Sequence, residues 1–140
     1  MKIKLLLSVC LCLLTLTGSL KAQTDFDTFW TTFKSAVIKG DIATVASLTK
    51  FPLIVSVDEG KPAIKKIIIK NIAKFRQHYR DIFGKHQVAS CFAEKELYQD
   101  HSNQSGQIEC FDGTYSSRYQ FKLTKKGWKF VAADFGEVGD

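Results

Sequence analysis

Asp134 and Tyr119 are the residues whose types and spacing best suit acid–base chemistry. A four-residue hairpin loop over 124–127 would set Leu123 opposite Trp128, Phe121 opposite Phe130, Tyr119 opposite Ala132 and Ser117 opposite Asp134. That register places the Asp134 carboxylate on the sheet face carrying the aromatic side chains, close to Tyr115 and Tyr119. Desolvation there raises a carboxyl pKa toward the range in which it exchanges protons at neutral pH. The competing reading is an exposed Asp at a strand end.

Other chemistries find less support. His78, His86 and His101 are the three imidazoles, and none stands at a zinc-like spacing from another histidine, a cysteine or a carboxylate, so no metal is expected. No Gly-x-Ser-x-Gly elbow occurs, and no phosphate or cofactor motif, so no cofactor is expected either. Cys91 and Cys110 are the cysteines beyond the N-terminal segment. In an exported chain such a pair oxidises, closing a loop of about 20 residues and leaving no thiol as nucleophile; the alternative is two buried free thiols.

Two sets of residues suit binding. Trp30, Phe33, Tyr79, Phe121, Trp128 and Phe130 are first of all core material, and a minority of them can line a pocket for an apolar ligand. Residues 61–85 carry eight basic side chains against Asp81 alone. Lys65, Lys70 and Lys74 head a basic stripe suited to an anionic surface or an acidic partner, the plain alternative being a solvated helix face.

These residues need elements to hold them. Phe26, Phe29, Trp30, Phe33, Val37 and Ile38 recur three and four apart and predict an amphipathic helix that ends at Gly40. Asp41 caps a shorter second helix, which Pro52 prevents from continuing. Leu53 to Val57 reads as a strand, Asp58-Glu59-Gly60 as a turn, and 61–64 as a short returning strand. The triplet Ile67-Ile68-Ile69 is open between strand end and helix start. Asn71 caps a third helix through Phe75, Tyr79, Ile82 and Phe83 to Gly84. After it come a strand over 87–98, a polar loop over 100–106 and one long strand or two over 108–123, with a bulge at Asp112-Gly113. A hairpin at 124–127 and a closing strand from Trp128 to Phe135 complete the chain. Helices first and strands last give an α+β class, three N-terminal helices on one face of a curved antiparallel sheet.

The first residues read as a signal peptide: Lys2 and Lys4, then an apolar run from Leu5 to Leu16, then small and polar residues. Cleavage is expected after Ala22, with Ser19 the alternative. The apolar run is too short to span a bilayer. Residues 23–140 then form one domain, secreted or periplasmic, whose formal charge falls from +6 to +3 as Lys2, Lys4 and Lys21 are lost. Export removes nucleic acid from the expected partners.

The layout resembles the nuclear transport factor 2-like, or cystatin-like, fold. The resemblance is carried by Phe29-Trp30-x-x-Phe33, Lys39-Gly40-Asp41, Phe51-Pro52-Leu53, the Phe75 to Phe83 helix and the Tyr119-x-Phe121, Gly127-Trp128-x-Phe130 hairpin. It covers nearly all of residues 23–140 and is closest to small exported bacterial members whose role is not established. It implies a cone of strands around helices with a pocket at the wide end, and possible sheet-face homodimers. The fold hosts isomerases, dehydratases, hydrolases and non-enzymatic modules, so it does not by itself assign an activity. The leading expectation is an exported non-enzymatic module for a small ligand or a protein partner; the alternative is a cofactor-independent acid–base enzyme using Asp134 with Tyr119.

Overall fold

The three-and-four spacing of Phe26, Phe29, Phe33, Ala36 and Val37 turns one face of α1 (25–39) entirely inward, and all five are buried. The computed structural model describes residues 25–60, 64–84 and 87–137. The expected signal peptide and its cleavage sites lie outside them. Gly40, at φ +69°, ends α1, and Asp41 then caps α2 (Ile42–Ser47) by accepting from the Thr44 backbone N–H at 3.1 Å.

Strand β1 (Thr49–Asp58) starts at once and pairs antiparallel with β2 (Lys65–Ile69), Leu53 facing Ile69 and Val55 facing Ile67. The isoleucine triplet is therefore strand, with Ile69 buried and Ile68 outward. The return begins at Lys65, and 61–63 of the expected 61–64 strand lie outside the described residues. Asn71 caps α3 (Ile72–Phe83), its side chain accepting from Lys74 N–H at 3.0 Å; Phe75, Tyr79, Ile82 and Phe83 form its buried face.

The expected strand over 87–98 is corrected to a fourth helix, α4 (Val88–Glu94), followed by a three-residue β3 (Tyr98–Asp100). Its buried residues Val88 and Phe92 are four apart, a helical interval, and the segment does not keep the period of two on which the strand was expected. Strands β4 (Ser105–Phe111), β5 (Tyr115–Thr124) and β6 (Gly127–Glu137) complete the chain. Asp112-Gly113 makes a turn between two strands rather than a bulge: Asp112 Oδ1 accepts from the N–H groups of Thr114 and Tyr115.

The six strands form one sheet in the order β2-β1-β6-β5-β4-β3. The last strand lies beside the first, and that pair is parallel, so the sheet is mixed rather than wholly antiparallel. Pro52, which has no N–H to give, falls in the irregular stretch of β1 between its Thr49–Phe130 and Ile54–Ala132 pairings. All four helices contribute to the core on one sheet face, and the chain is α+β as expected. Cys91 of α4 and Cys110 of β4 are joined by a disulfide with Cα atoms 5.8 Å apart. No helix among the described residues is long and apolar enough to cross a membrane.

Candidate functional site

The six aromatics expected around a pocket fill the core. Phe33, Phe121 and Phe130 are completely buried; the Phe33 ring lies 5.1 Å from Phe121 and 5.6 Å from Phe130. Trp30 packs on Phe92 and Phe121, each with centroids at 5.5 Å. Tyr79 sits against Phe75 and Phe83, and Trp128 against Phe26 at 4.5 Å. Most of these rings meet edge-on or tilted, with Trp30 stacked on Phe33, and none of the six lines the cavity described below.

Asp134 and Tyr119 do not converge, which corrects the expected placement. The β5–β6 pairing follows the expected register only from the hairpin to Phe121–Phe130; a shift between Gln120 and Phe121 then sets Tyr119 opposite Ala133, and Arg118, not Ser117, opposite Asp134. One extra residue in β6 reverses every later side chain. Asp134 thus stands on the outer face with Ser56, Arg118 and Glu109, the residues that pair across β1, β6, β5 and β4. Its Oδ2 accepts from Gln120 Nε2 at 2.6 Å, and Arg118 meets Glu109 at 3.2 Å.

Tyr119 is wholly buried on the inner face, where its hydroxyl donates to the Ile82 carbonyl at 2.7 Å. Burial pushes its phenol well above the ordinary tyrosine pKa, offset in small part by the neighbouring Ser117 hydroxyl. Ser117, also fully buried, makes no well-aligned hydrogen bond of its own.

The sheet and α3 instead enclose a cavity of about 570 Å³ at the end of the sheet where β1 and β6 finish and β2 and β5 begin. Alternation along the strands builds its floor: Val55 and Val57 from β1, Ile67 and Ile69 from β2, Phe135 from β6, with Ile82 of α3 above them. Its mouth is polar, formed by Asp58, Glu59, His78, Asp81, Tyr115 and Glu137. His78 Nδ1 lies 3.4 Å from Asp81 Oδ2, one turn apart on α3. Tyr115 donates its phenol proton to Glu137 Oε1 at 3.1 Å, and the carboxylate raises the pKa of that phenol. Asp58 Oδ1 accepts from the N–H of Gly60, whose φ of +70° closes the turn after β1.

These mouth and floor residues were not singled out from the sequence. Val55/Val57 and Ile67/Ile69 carry the alternation that marks an inward face. The meeting of the Asp58-Glu59 turn with Glu137 depends on the parallel β1–β6 pair, which no local pattern announces. Lys65, Lys70 and Lys74 are exposed along β2 and the start of α3, outside the cavity lining; Lys74 Nζ donates to Gln77 Oε1 at 3.1 Å. Among the described residues, no three His, Cys, Asp or Glu side chains gather as a metal site would require.

No protein-family model and no curated protein matches the chain. Solved structures do. A protein of unknown function with a cystatin-like fold from Methylobium petroleophilum PM1 aligns at TM-score 0.52 and 9% identity, over 84% of this chain and 78% of its own. A DUF4783 family protein from Bacteroides ovatus ATCC 8483 aligns at TM-score 0.49 and 8% identity, over 78% and 94%. An NTF2-like protein with a cystatin-like fold from Novosphingobium aromaticivorans gives TM-score 0.46 and 14% identity, over 90% and 88%. With its helices laid on one face of a six-stranded sheet and its last strand beside its first, this chain has the cystatin-like fold.

Proposed function

We propose that the chain is an exported, non-enzymatic module that binds a small, largely apolar ligand in the cavity between α3 and the ends of β1, β2 and β6. The observation that carries this reading is the cavity itself: about 570 Å³, within the range of small-molecule sites, with an aliphatic and aromatic floor under a polar mouth. The Cys91–Cys110 bond agrees with an oxidising compartment. Native mass spectrometry of protein purified from its own compartment, with a titration of the neutral dye Nile red, tests it. The expected result is a retained small molecule and one dye site per chain, lost when Ile67→Trp fills the floor. A chain that retains nothing and takes up dye equally with and without that substitution would refute the cavity as the site.

One observation favours a second reading, acid–base catalysis in the same cavity. Asp81 accompanies His78 at the mouth, an arrangement that orients an imaidazole for proton transfer. Chemical conversion of a cavity ligand, abolished by His78→Ala, would place that reading first. The outer sheet face, where Ile54, Ile64 and Ile68 stand exposed, is the surface for a second copy or a protein partner; sedimentation of Ile54→Lys/Ile68→Lys against the parent tests it.

A further inference from the structure

At the end of the sheet away from the cavity, a basic trough runs around the β5–β6 hairpin. One lobe, of about 570 Å³, lies on the outer sheet face beside Gln120 and Lys122. The other, of about 590 Å³, lies between the end of α2 and the start of α3, beside Phe51, Ile72, Lys126 and Lys129. Lys50, Thr124 and Lys125 line both, so the lobes are continuous. Among the described residues no Asp or Glu lines either one. The ammonium groups of Lys50, Lys122, Lys125 and Lys126 have no ion pair and no hydrogen bond there. Lys129 donates to the Ser47 carbonyl at 2.7 Å and keeps the rest of its donors. Lys122 and Lys129 stand directly opposite each other on β5 and β6, a placement that like charges disfavour. The carboxylates of adjoining elements are turned elsewhere: Asp134 accepts from Gln120 and borders the neighbouring groove with Arg118, and Asp41 caps the far end of α2.

We infer that this trough binds an extended anionic polysaccharide, a chain of sulfated or uronic sugars that passes around the hairpin from the outer sheet face to the start of α3. An anionic chain relieves the repulsion among five lysines that the protein itself leaves without carboxylates. The neutral side chains of the trough are already engaged: Thr124 donates to the Gly127 carbonyl, Ser47 to that of Thr44, and Gln120 to Asp134. Recognition therefore falls to the lysines, which act as flexible point charges and tolerate a varied sequence of anionic groups. Phe51 and Ile72 between them present apolar surface to the C–H faces of sugar rings. A flat membrane fits less well, because the site is concave and the hairpin loop, exposed at Lys125, Lys126 and Gly127, has no apolar side chain to insert. Single-stranded nucleic acid calls for a series of stacking rings; Phe51 is the only ring lining the trough among the described residues, and it packs edge-on against Phe75.

Binding of the intact protein to dextran sulfate, neutral dextran, oligothymidylate and phosphatidylglycerol vesicles at neutral pH separates the possibilities, with affinities compared per anionic group. The expected result is that dextran sulfate binds most tightly and neutral dextran not at all, with an affinity that falls about tenfold or more from low to physiological salt. Lys50→Gln/Lys122→Gln/Lys125→Gln is expected to weaken dextran sulfate binding about tenfold or more. Lys65→Gln/Lys70→Gln/Lys74→Gln removes the same charge from β2 and α3 and is expected to change it about twofold or less. All the substituted lysines are exposed, and circular dichroism verifies the fold. Equal losses in the two variants would reduce the effect to net charge and overturn the inference. Tighter binding of the oligonucleotide or the vesicles than of dextran sulfate would assign the lysines to another partner and overturn it too, as would no binding to dextran sulfate. Nile red uptake by the cavity is expected to be unchanged in both variants, so the two sites stand or fall separately.

Discussion

The hydroxyl of Tyr119 on β5 donates to the main-chain carbonyl of Ile82 on α3 at 2.7 Å, across 37 residues of sequence. The bond ties the middle of the sheet to the last full turn of the helix that roofs the cavity, and it gives Tyr119 a structural task. Tyr119→Phe leaves a buried carbonyl unpaired and is expected to cost about 1–3 kcal/mol by denaturant unfolding. A catalytic Tyr119 would instead show a lost activity with stability unchanged.

The same phenol sets a pH dependence. Its pKa is raised in the folded protein by burial, so its contribution is complete below the ordinary tyrosine value of about 10 and is lost as pH climbs above it, because the unfolded chain ionises first. Tyr79, raised by burial and by the charge of Asp41, acts in the same direction. The stability gap between the parent and Tyr119→Phe is expected to narrow on thermal unfolding as pH rises through the alkaline range; a constant gap would contradict the assignment.

Phe33 meets five other buried rings, those of Phe29, Phe83, Phe92, Phe121 and Phe130, and is itself inaccessible. Phe33→Ala is expected to destabilise by about 3–5 kcal/mol, the cost of a large core cavity, as measured by urea unfolding. If Phe33 lined an open pocket, the loss would be far smaller and Nile red uptake would rise.

Cys91 and Cys110 close a loop of about 20 residues, which in the chain-entropy picture stabilises the fold by about 3 kcal/mol. Replacing both with alanine is expected to lower the melting temperature and to speed amide exchange first in α4, which the bond holds against β4. Uniform exchange across the chain would argue against a local tether.

Asp134 lies on the outer face, paired with Gln120, away from the cavity. Asp134→Asn keeps a side-chain oxygen for that bond, so the expected change in stability is below about 1 kcal/mol and the change in ligand affinity is none. A tenfold loss of affinity would return Asp134 to the binding site.

The helices were legible because their signals are local: the aromatic spacing in α1, Asp41 and Asn71 as caps, Gly40 and Gly84 as ends. α4 was not, since Val88 and Phe92 sit in a segment too short for its period to stand out from a strand. In the closing hairpin, Leu123–Trp128 and Phe121–Phe130 followed from the loop length alone. Beyond Phe130 the extra residue inverted the facing of Asp134, and an inserted residue of this kind leaves no mark in an alternating sequence. The cavity mouth was hidden for a related reason: Glu59, Asp81 and Glu137 are distant in the chain, and only the strand order and the packing of α3 on the sheet bring them to one cavity.

The parallel contact of β1 with β6 has a consequence for biogenesis. The sheet has β6 near its middle, between β1 and β5, so a nascent polypeptide that has emerged only to residue 126 owns the β1–β2 hairpin and the three-stranded β3-β4-β5 meander, with no strand pairing between them. Closure of the sheet must wait for β6 to leave the ribosome.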